Sequence, residues 1–272
     1  MRKYVLAMAL TVAAAACAQP AFQFKEKTVF KNDDVEFHQI DDHTWHANGN
    51  KMFNESMYLI EGDSAAILLD AGTVIPGLKK IAEDICKKPV VLIATHVHPD
   101  HTGSSINEWD SIWINAADEV NTPMFMPDYQ GKKLYLTDGQ VFDLGNRKIE
   151  VIFTPGHTPG STTFVDKAAG YGFSGDAFGS GNLLVFTDLS TVAASSQRLC
   201  RFLDKYGITK LYPGHYFSVN AETPQRIRDV GEIALAILDG TIQPVEQANN
   251  TGQTLAVTDR GVTLRFNPGA LR

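Results

Sequence analysis

Val90-Val91-Leu92-Ile93-Ala94 runs directly into Thr95-His96-Val97-His98-Pro99-Asp100-His101, and this junction constrains the chain more than any other stretch. A short, continuous, β-branched apolar run suits a strand buried on both faces, as in the middle of an α/β sheet. Polar residues begin where that strand stops, so three imidazoles and a carboxylate gather at one strand end. Pro99 disfavours helical backbone at His98, which argues against a regular helix through the cluster. His96 and His98 stand two apart and point the same way in extended chain. Asp100 and His101, beyond the proline, can turn toward a second centre. Imidazole with carboxylate suits zinc, with iron or manganese as alternatives. Four coordinating groups in one loop have little structural use. The isolated histidines His38, His43 and His46 are assigned no role.

The ends and the charge narrow the class. Met1-Arg2-Lys3 is a basic start, and Tyr4 to Ala16 is an alanine-rich apolar stretch too short to span a bilayer as a helix. Ala16-Cys17-Ala18 fits a small-x-small cleavage site, so residues 1–18 read as a signal peptide and 19–272 as one exported, periplasmic domain. A competing reading is a lipoprotein leader ending before Cys17, whose lipid would be the chain's membrane contact. Losing Arg2 and Lys3 with the leader takes the net charge from −7 to −9. An acidic exported chain is a poor partner for nucleic acid, which rewards basic surfaces. A small-molecule substrate is the expected partner. Cys86 and Cys200 remain, outside any metal-ligand motif, and are expected as unpaired buried thiols.

Along the chain, residues 19–34 read as a loosely held lead-in. Strands are expected at Val35–Ile40, Thr44–Ala47, Ser56–Glu61 and Ala65–Asp70, then a helix over Val74–Lys88 with Ile75, Leu78, Ile81, Ala82 and Ile85 on one face. After the histidine loop, a helix start is expected at His101–Glu108 and a strand at Ser111–Asn115. Pro123, Pro127 and Gly131 mark an irregular excursion. Leu134–Leu136, Gln140–Phe142 and Lys148–Phe153 read as antiparallel strands, followed by Ser161–Val165 and Gly170–Ser174. Leu189 to Tyr206 is helical in its 3–4 spacing and stops at Gly207. Thr209–Tyr212 is a strand. Thr223-Pro224 caps a helix running to Asp239, and Thr254–Val257 with Val262–Phe266 closes the chain as a hairpin. Strands, helix, strand, then strands and helices again give an α/β (α+β) chain with two sheets and helices outside.

The loop at His96–His101 resembles the His-x-His-x-Asp-His motif of the metallo-β-lactamase fold superfamily. Further segments match in order. Ala66-Ile67-Leu68-Leu69-Asp70-Ala71-Gly72 resembles the early strand ending in Asp-x-Gly, and Thr154-Pro155-Gly156-His157 the segment bearing the next histidine. Phe173-Ser174-Gly175-Asp176 resembles the one bearing a bridging aspartate, and Leu211-Tyr212-Pro213-Gly214-His215 the last histidine. The resemblance runs from about Val35 to Leu238 and implies a four-layer αββα sandwich with metals at one edge between the sheets. It implies that His96, His98 and His157 hold one Zn2+, that Asp100, His101 and His215 hold a second, and that Asp176 bridges. Two such ions about 3.5–4 Å apart can share a hydroxide as nucleophile, so no serine or cysteine is needed. Asp100 is the candidate catalytic side chain, orienting that nucleophile and accepting a proton. Asp70 is read either as a support for a ligand or as a turn residue.

Asp176 decides the branch. The dinuclear hydrolases resembling glyoxalase II carry an aspartate there, whereas true metallo-β-lactamases generally carry a cysteine or a smaller polar residue. Glyoxalase II itself has a helical C-terminal domain for which the sequence after His215 looks too short. The acyl-homoserine lactonases place a tyrosine soon after the aspartate, where this chain has Ala177-Phe178-Gly179-Ser180. The resemblance therefore implies an exported dinuclear zinc hydrolase of a small ester, thioester, lactone or amide. The alternatives are a β-lactamase acting on antibiotics and a non-enzymatic periplasmic metal-binding protein. Asn48–Phe53, Met124–Met126 and Phe178–Phe186 are the loops expected to rim the cleft, where specificity is commonly carried.

Overall fold

The computed structural model describes residues 24–247 and 252–272. The leader read at residues 1–18, and Cys17 with it, lies outside them. Among the described residues no helix is long and apolar enough to cross a membrane.

The first sheet has eight strands in chain order. They are β1 (Lys27–Lys31), β2 (Val35–Asp41), β3 (Thr44–Gly49), β4 (Ser56–Glu61), β5 (Ala66–Leu69), β6 (Val90–Ile93), β7 (Ser111–Ile114) and β8 (Lys132–Tyr135). Up to β5 each pairing is antiparallel, and from β5 to β8 each is parallel. Parallel neighbours need a crossover, and helix α1 (Leu78–Cys86) supplies the first, between β5 and β6. Along β6 the side chains alternate between two cores: Val90 and Leu92 pack under α1, while Ile93 faces the second sheet. Only Val91 reaches solvent. The continuous apolar run is thus a strand buried on both faces, as its composition requires.

The second sheet comprises β9 (Val141–Asp143), β10 (Lys148–Phe153), β11 (Thr162–Asp166), β12 (Tyr171–Gly175) and β14 (Lys210–Pro213), in the order β14-β12-β11-β10-β9. Tyr58, Ile60, Ile67, Leu69 and Ile93 from the first sheet meet Ile149, Val151, Phe164, Phe173 and Tyr212 from the second in a shared apolar layer. The outer face of the second sheet is covered by α3 (Leu189–Tyr206) and α4 (Pro224–Leu238), through Val192, Leu199, Leu203, Ile227, Val230 and Ile233. Helix, sheet, sheet, helix is the αββα sandwich expected. Both long helices start and stop on local chemistry. Asp188 accepts from Thr191 N at 2.8 Å and Thr223 from Arg226 N at 3.2 Å, and Gly207 ends α3 in the left-handed region at φ 67°.

Several expectations are corrected. Residues 27–31 form edge strand β1, held by backbone pairing to β2 and exposing most of its side chains, so no apolar rhythm announces it. The segment at Leu134 pairs parallel with β7 in the first sheet, not antiparallel with the Gln140–Phe142 strand, because 116–125 forms two short helical turns that carry the chain across. The helix expected from Val74 begins at Leu78, after Pro76 and a left-handed Gly77. His101–Glu108 holds only a 3-10 turn, Ser104–Glu108. A third sheet was not foreseen: β13 (Asn182–Leu184) and β15 (Val245–Glu246) join the closing hairpin of β16 (Leu255–Asp259) and β17 (Val262–Phe266). Cys86 and Cys200 are buried and unpaired, as expected.

Candidate metal centre

Strand ends build the site. Asp70 follows β5, His96–His101 follow β6, and Asp118 lies just beyond β7; these three strands are parallel neighbours, so their C-terminal ends open at one edge. Asp176 directly follows β12 and His215 lies just past β14, another parallel pair. His157 comes after β10. Ligand sites of α/β sheets form beyond the carboxyl ends of strands in this way.

The seven side chains singled out in the sequence lie together. His98 Nδ1 is 3.1 Å from His96 Nε2 and 2.9 Å from His157 Nε2, so three ring nitrogens converge on one point. Beside them, His215 Nε2 lies 3.4 Å from Asp100 Oδ2, and His101 Nε2 lies 3.6 Å from the same oxygen. Asp176 stands between the two groups, with Oδ2 3.4 Å from His215 Nε2 and 3.8 Å from His157 Nε2, and Oδ1 3.8 Å from His101 Nε2. The donor atoms form three overlapping trios, His96–His98–His157, His96–His101–Asp176 and Asp100–His101–His215, each within 4.8 Å. The site fits a metal ion. Its donors are nitrogen and carboxylate oxygen, and His101 Nε2 is buried with no hydrogen-bond partner among the described residues.

Supporting bonds fix which nitrogen faces inward. Asp70 Oδ2 accepts from His101 Nδ1 at 2.8 Å, leaving Nε2 free. The same carboxylate accepts from Thr95 N at 2.7 Å and Thr95 Oγ1 at 2.8 Å, pinning the start of the loop. Asp70 thus supports the His101 ring and is not merely a turn residue. Leu184 O accepts from His157 Nδ1 at 2.8 Å and directs Nε2 inward. Such outer bonds set tautomer and ring orientation. Gly214 must be glycine because a Cβ there would collide with Asp176 Oδ1 and His101 Cε1.

The electrostatics divide the cluster. Burial, reinforced by neighbouring imidazoles, holds His98 at about 3 and His96 well below the usual histidine range, so both are neutral lone-pair donors. Burial also opposes charge on His101, but Asp100, Asp70 and Asp176 outweigh it and hold the ring at about 9. Burial raises Asp100, yet His101 and His215 overrule it and bring the carboxyl to about 2. Cations entering this half would displace imidazole protons.

Two acids went unnoticed in the sequence. Asp118, fully buried, joins the two histidine loops: Oδ2 accepts from Val97 N at 2.8 Å and Thr158 Oγ1 at 2.9 Å, and Oδ1 accepts from Gly160 N at 2.7 Å. Its one legible signal is its place just after a strand parallel to β6. Glu222, also fully buried, accepts from Ser180 N at 2.6 Å and so holds the Gly179–Gly181 turn beside Asp176. Burial pushes its carboxyl up to about 8, against the pull of Arg226 and the Ser180 N–H. Nothing local marks Glu222, which acts across 42 residues.

A cleft of about 330 Å³ adjoins the cluster, lined by His157, Asp176, His215, Ser180, Asn182 and Asn220 among others. Of the loops expected to rim it, 178–186 lines the cleft, and Phe125 and Phe186 stand edge-on to His98, each with centroids 5.3 Å away. Asn48 faces inward and donates to Gly49 O, taking no part in the cluster.

The family model of the metallo-beta-lactamase superfamily matches residues 51–215, more than half of the chain. The chain is similar to the acyl-coenzyme A thioesterase MBLAC2 of Homo sapiens, 26% identical over 222 residues that cover 65% of this chain and 77% of the relative. It is similar to the hydroxyacylglutathione hydrolase GloC of Haemophilus influenzae, 26% identical over 152 residues, 48% of this chain and 70% of that one. Among solved structures, a metallo-beta-lactamase from Pontibacter korlensis superposes with a TM-score of 0.60 at 19% identity, covering 74% of this chain and 99% of that one. FIM-1 from Pseudomonas aeruginosa, in a mono-zinc form, gives a TM-score of 0.58 at 16% identity, with 75% and 97% covered. The strand-end cluster, the αββα layers and the match across 51–215 converge, and the chain belongs to the metallo-beta-lactamase superfamily.

Proposed function

We propose that this chain is a dinuclear, zinc-dependent hydrolase of a small thioester or ester. The observation that carries the reading is Asp176 placed within 3.8 Å of donor nitrogens in both halves of the cluster. His96 Nε2, His98 Nδ1 and His157 Nε2 would hold one ion; Asp100, His101 and His215 would hold the other, with Asp176 shared. When bound, such a pair acidifies water and polarises a carbonyl. Asp100 would orient the attacking water, since its carboxylate is held ionised beside His215. Asp70, Leu184 O and Asp118 keep the ligand rings aimed. Among the described residues neither cysteine offers a competing nucleophile. Both thiols are buried, and burial pushes Cys200 up to about 11, where the thiolate is scarce.

The thioester is favoured over lactone, amide and β-lactam by the relatives, which are named as an acyl-coenzyme A thioesterase and a hydroxyacylglutathione hydrolase. Asp176 also supports this choice, following the resemblance to the glyoxalase II branch. Export rests on the leader-like first eighteen residues alone. The test is thiol release from S-acyl-N-acetylcysteamine by zinc-loaded protein, with a chelator control and a chromogenic cephalosporin in parallel. Chelator-sensitive thiol release is expected. Metal bound without turnover of any thioester or ester would end the reading, and faster cephalosporin turnover would replace it with β-lactam hydrolysis.

A further inference from the structure

Two phenylalanines stand at the metal centre without a part in holding it. Phe186 lies edge-on to two candidate ligands, with centroids 5.3 Å from His98 and 5.4 Å from His157, and interplanar angles of 79° and 76°. Phe125 meets His98 at 5.3 Å and 89°. Both rings are therefore perpendicular to the His98 imidazole, and their centroids lie at most twice that distance apart. Phe186 is 47% exposed. A ring serving only to shield the imidazoles would be expected to bury its own surface as well. Next to Phe125, Met124 is 72% exposed, and Val120, one turn earlier, is 73% exposed. This margin of the site is apolar and wet, an arrangement that marks a binding surface when it borders reactive groups.

The chain that carries each ring is anchored. Phe186 N donates to His157 O at 3.1 Å, two residues after Leu184 O takes the His157 ring proton, and β13 just before it is paired to β17. Phe125 is partly buried and packs against the apolar core beneath α1. The backbone at each phenylalanine is therefore held beside the ligands it flanks. The neighbouring cleft is mixed: Ser180, Asn182 and Asn220 line it together with Leu184, Phe217 and the ionisable Asp176 and His215. A thioester lying across the cluster has room for one arm at the apolar margin and the other in this mixed cleft.

We infer that Phe125 and Phe186 form a clamp for the apolar acyl chain of the substrate, selecting medium or long acyl groups over acetyl, while the leaving group occupies the mixed cleft beside Asp176. This rests on the hydrolase reading above and adds the acyl group to it. Each methylene buried in such a clamp contributes about fourfold to binding. Burial of three would raise kcat/KM about fiftyfold from S-acetyl- to S-octanoyl-N-acetylcysteamine.

The experiment compares these two thioesters on zinc-loaded protein, in the native chain and in Phe186→Ala, Phe125→Ala and Phe186→Leu. The octanoyl-to-acetyl ratio is expected to fall about tenfold in each alanine variant and to recover partly with leucine, which restores apolar bulk. A native ratio near one, or a ratio unmoved in both alanine variants, overturns the clamp while leaving the hydrolase standing. If no thioester is turned over, calorimetric titration of S-octyl-N-acetylcysteamine, an inert thioether, into metal-free protein decides separately. Binding that Phe186→Ala weakens about tenfold supports the clamp, and no binding overturns it.

Discussion

Asp118→Asn removes the negative charge from the clamp between the two histidine loops and keeps its shape. The carboxylate accepts four hydrogen bonds: two on Oδ2 at 2.8 and 2.9 Å, and two on Oδ1, from Gly160 N at 2.7 Å and a longer one from Asn121 Nδ2 at 3.4 Å. Asparagine has one acceptor oxygen. If it occupies the Oδ2 position, the amide nitrogen faces Gly160 N, so a donor meets a donor and a buried N–H loses its partner. That loss costs about 1–3 kcal/mol, and the two remaining bonds weaken from charge-assisted to neutral strength. Burial, which pushes the Asp118 carboxyl up, returns part of this because the amide is cheaper to bury. A net destabilisation of about 2–3 kcal/mol follows. Gly160 leaves no room to relax, since a Cβ there would already press on Asp118 Cγ. Val97 lies between His96 and His98, and Gly160 lies three residues after His157, so slack at either bond misplaces ligands. Zinc affinity is expected to fall about 10–100-fold. Urea unfolding measures the first quantity, and competition with a chromophoric chelator measures the second. Zinc affinity within threefold of the native chain, in a variant that unfolds more easily, would show that Asp118 stabilises the fold without positioning the ligands.

His98→Ala or Asp100→Ala is expected to abolish turnover while circular dichroism shows the fold retained; unchanged activity in either would refute the proposed site. Zinc at a hundredfold excess over its dissociation constant adds about 2.7 kcal/mol and is expected to raise Tm by about 5–10 °C, read by calorimetry with and without chelator. Because His101 and His215 are held protonated by their carboxylate neighbours, zinc uptake releases protons and strengthens as pH rises, which titration in buffers of different ionisation enthalpy detects. The Glu222 carboxyl, raised from 4.5 to about 8 in the folded chain, keeps its proton there while the unfolded chain loses it. Its contribution to stability therefore falls as pH rises from 4.5 to about 8, by about 1.4 kcal/mol per unit. Glu222→Gln, which still accepts from Ser180 N, is expected to flatten that slope in urea unfolding of metal-free protein, and an unchanged slope would refute the shift.

What the sequence determined by itself was local. Leu189 to Tyr206 was legible as a helix to the residue because its 3–4 apolar spacing and the Gly207 stop both act within a few residues along the chain. The four coordinating groups of His96–His101 were legible because one loop carries them all, and their order with His157, Asp176 and His215 named the family. Tertiary structure decided whatever depends on two segments meeting. The strand at Leu134 could not be assigned to a sheet from its own residues, since only the crossover through 116–125 places it beside β7. Asp70 read equally as a turn residue or a support until His101, 31 positions on, came to lie against it. Glu222 carried no local signal, and Asp118 none beyond its place after β7, because the donors that give them their roles are 21 to 42 residues away. Phe125 and Phe186 flank His98 only because separate loops converge there. Capping and alternation act over a few residues and are written into the chain, whereas a buried carboxylate takes its role from donors that folding alone brings within 3 Å.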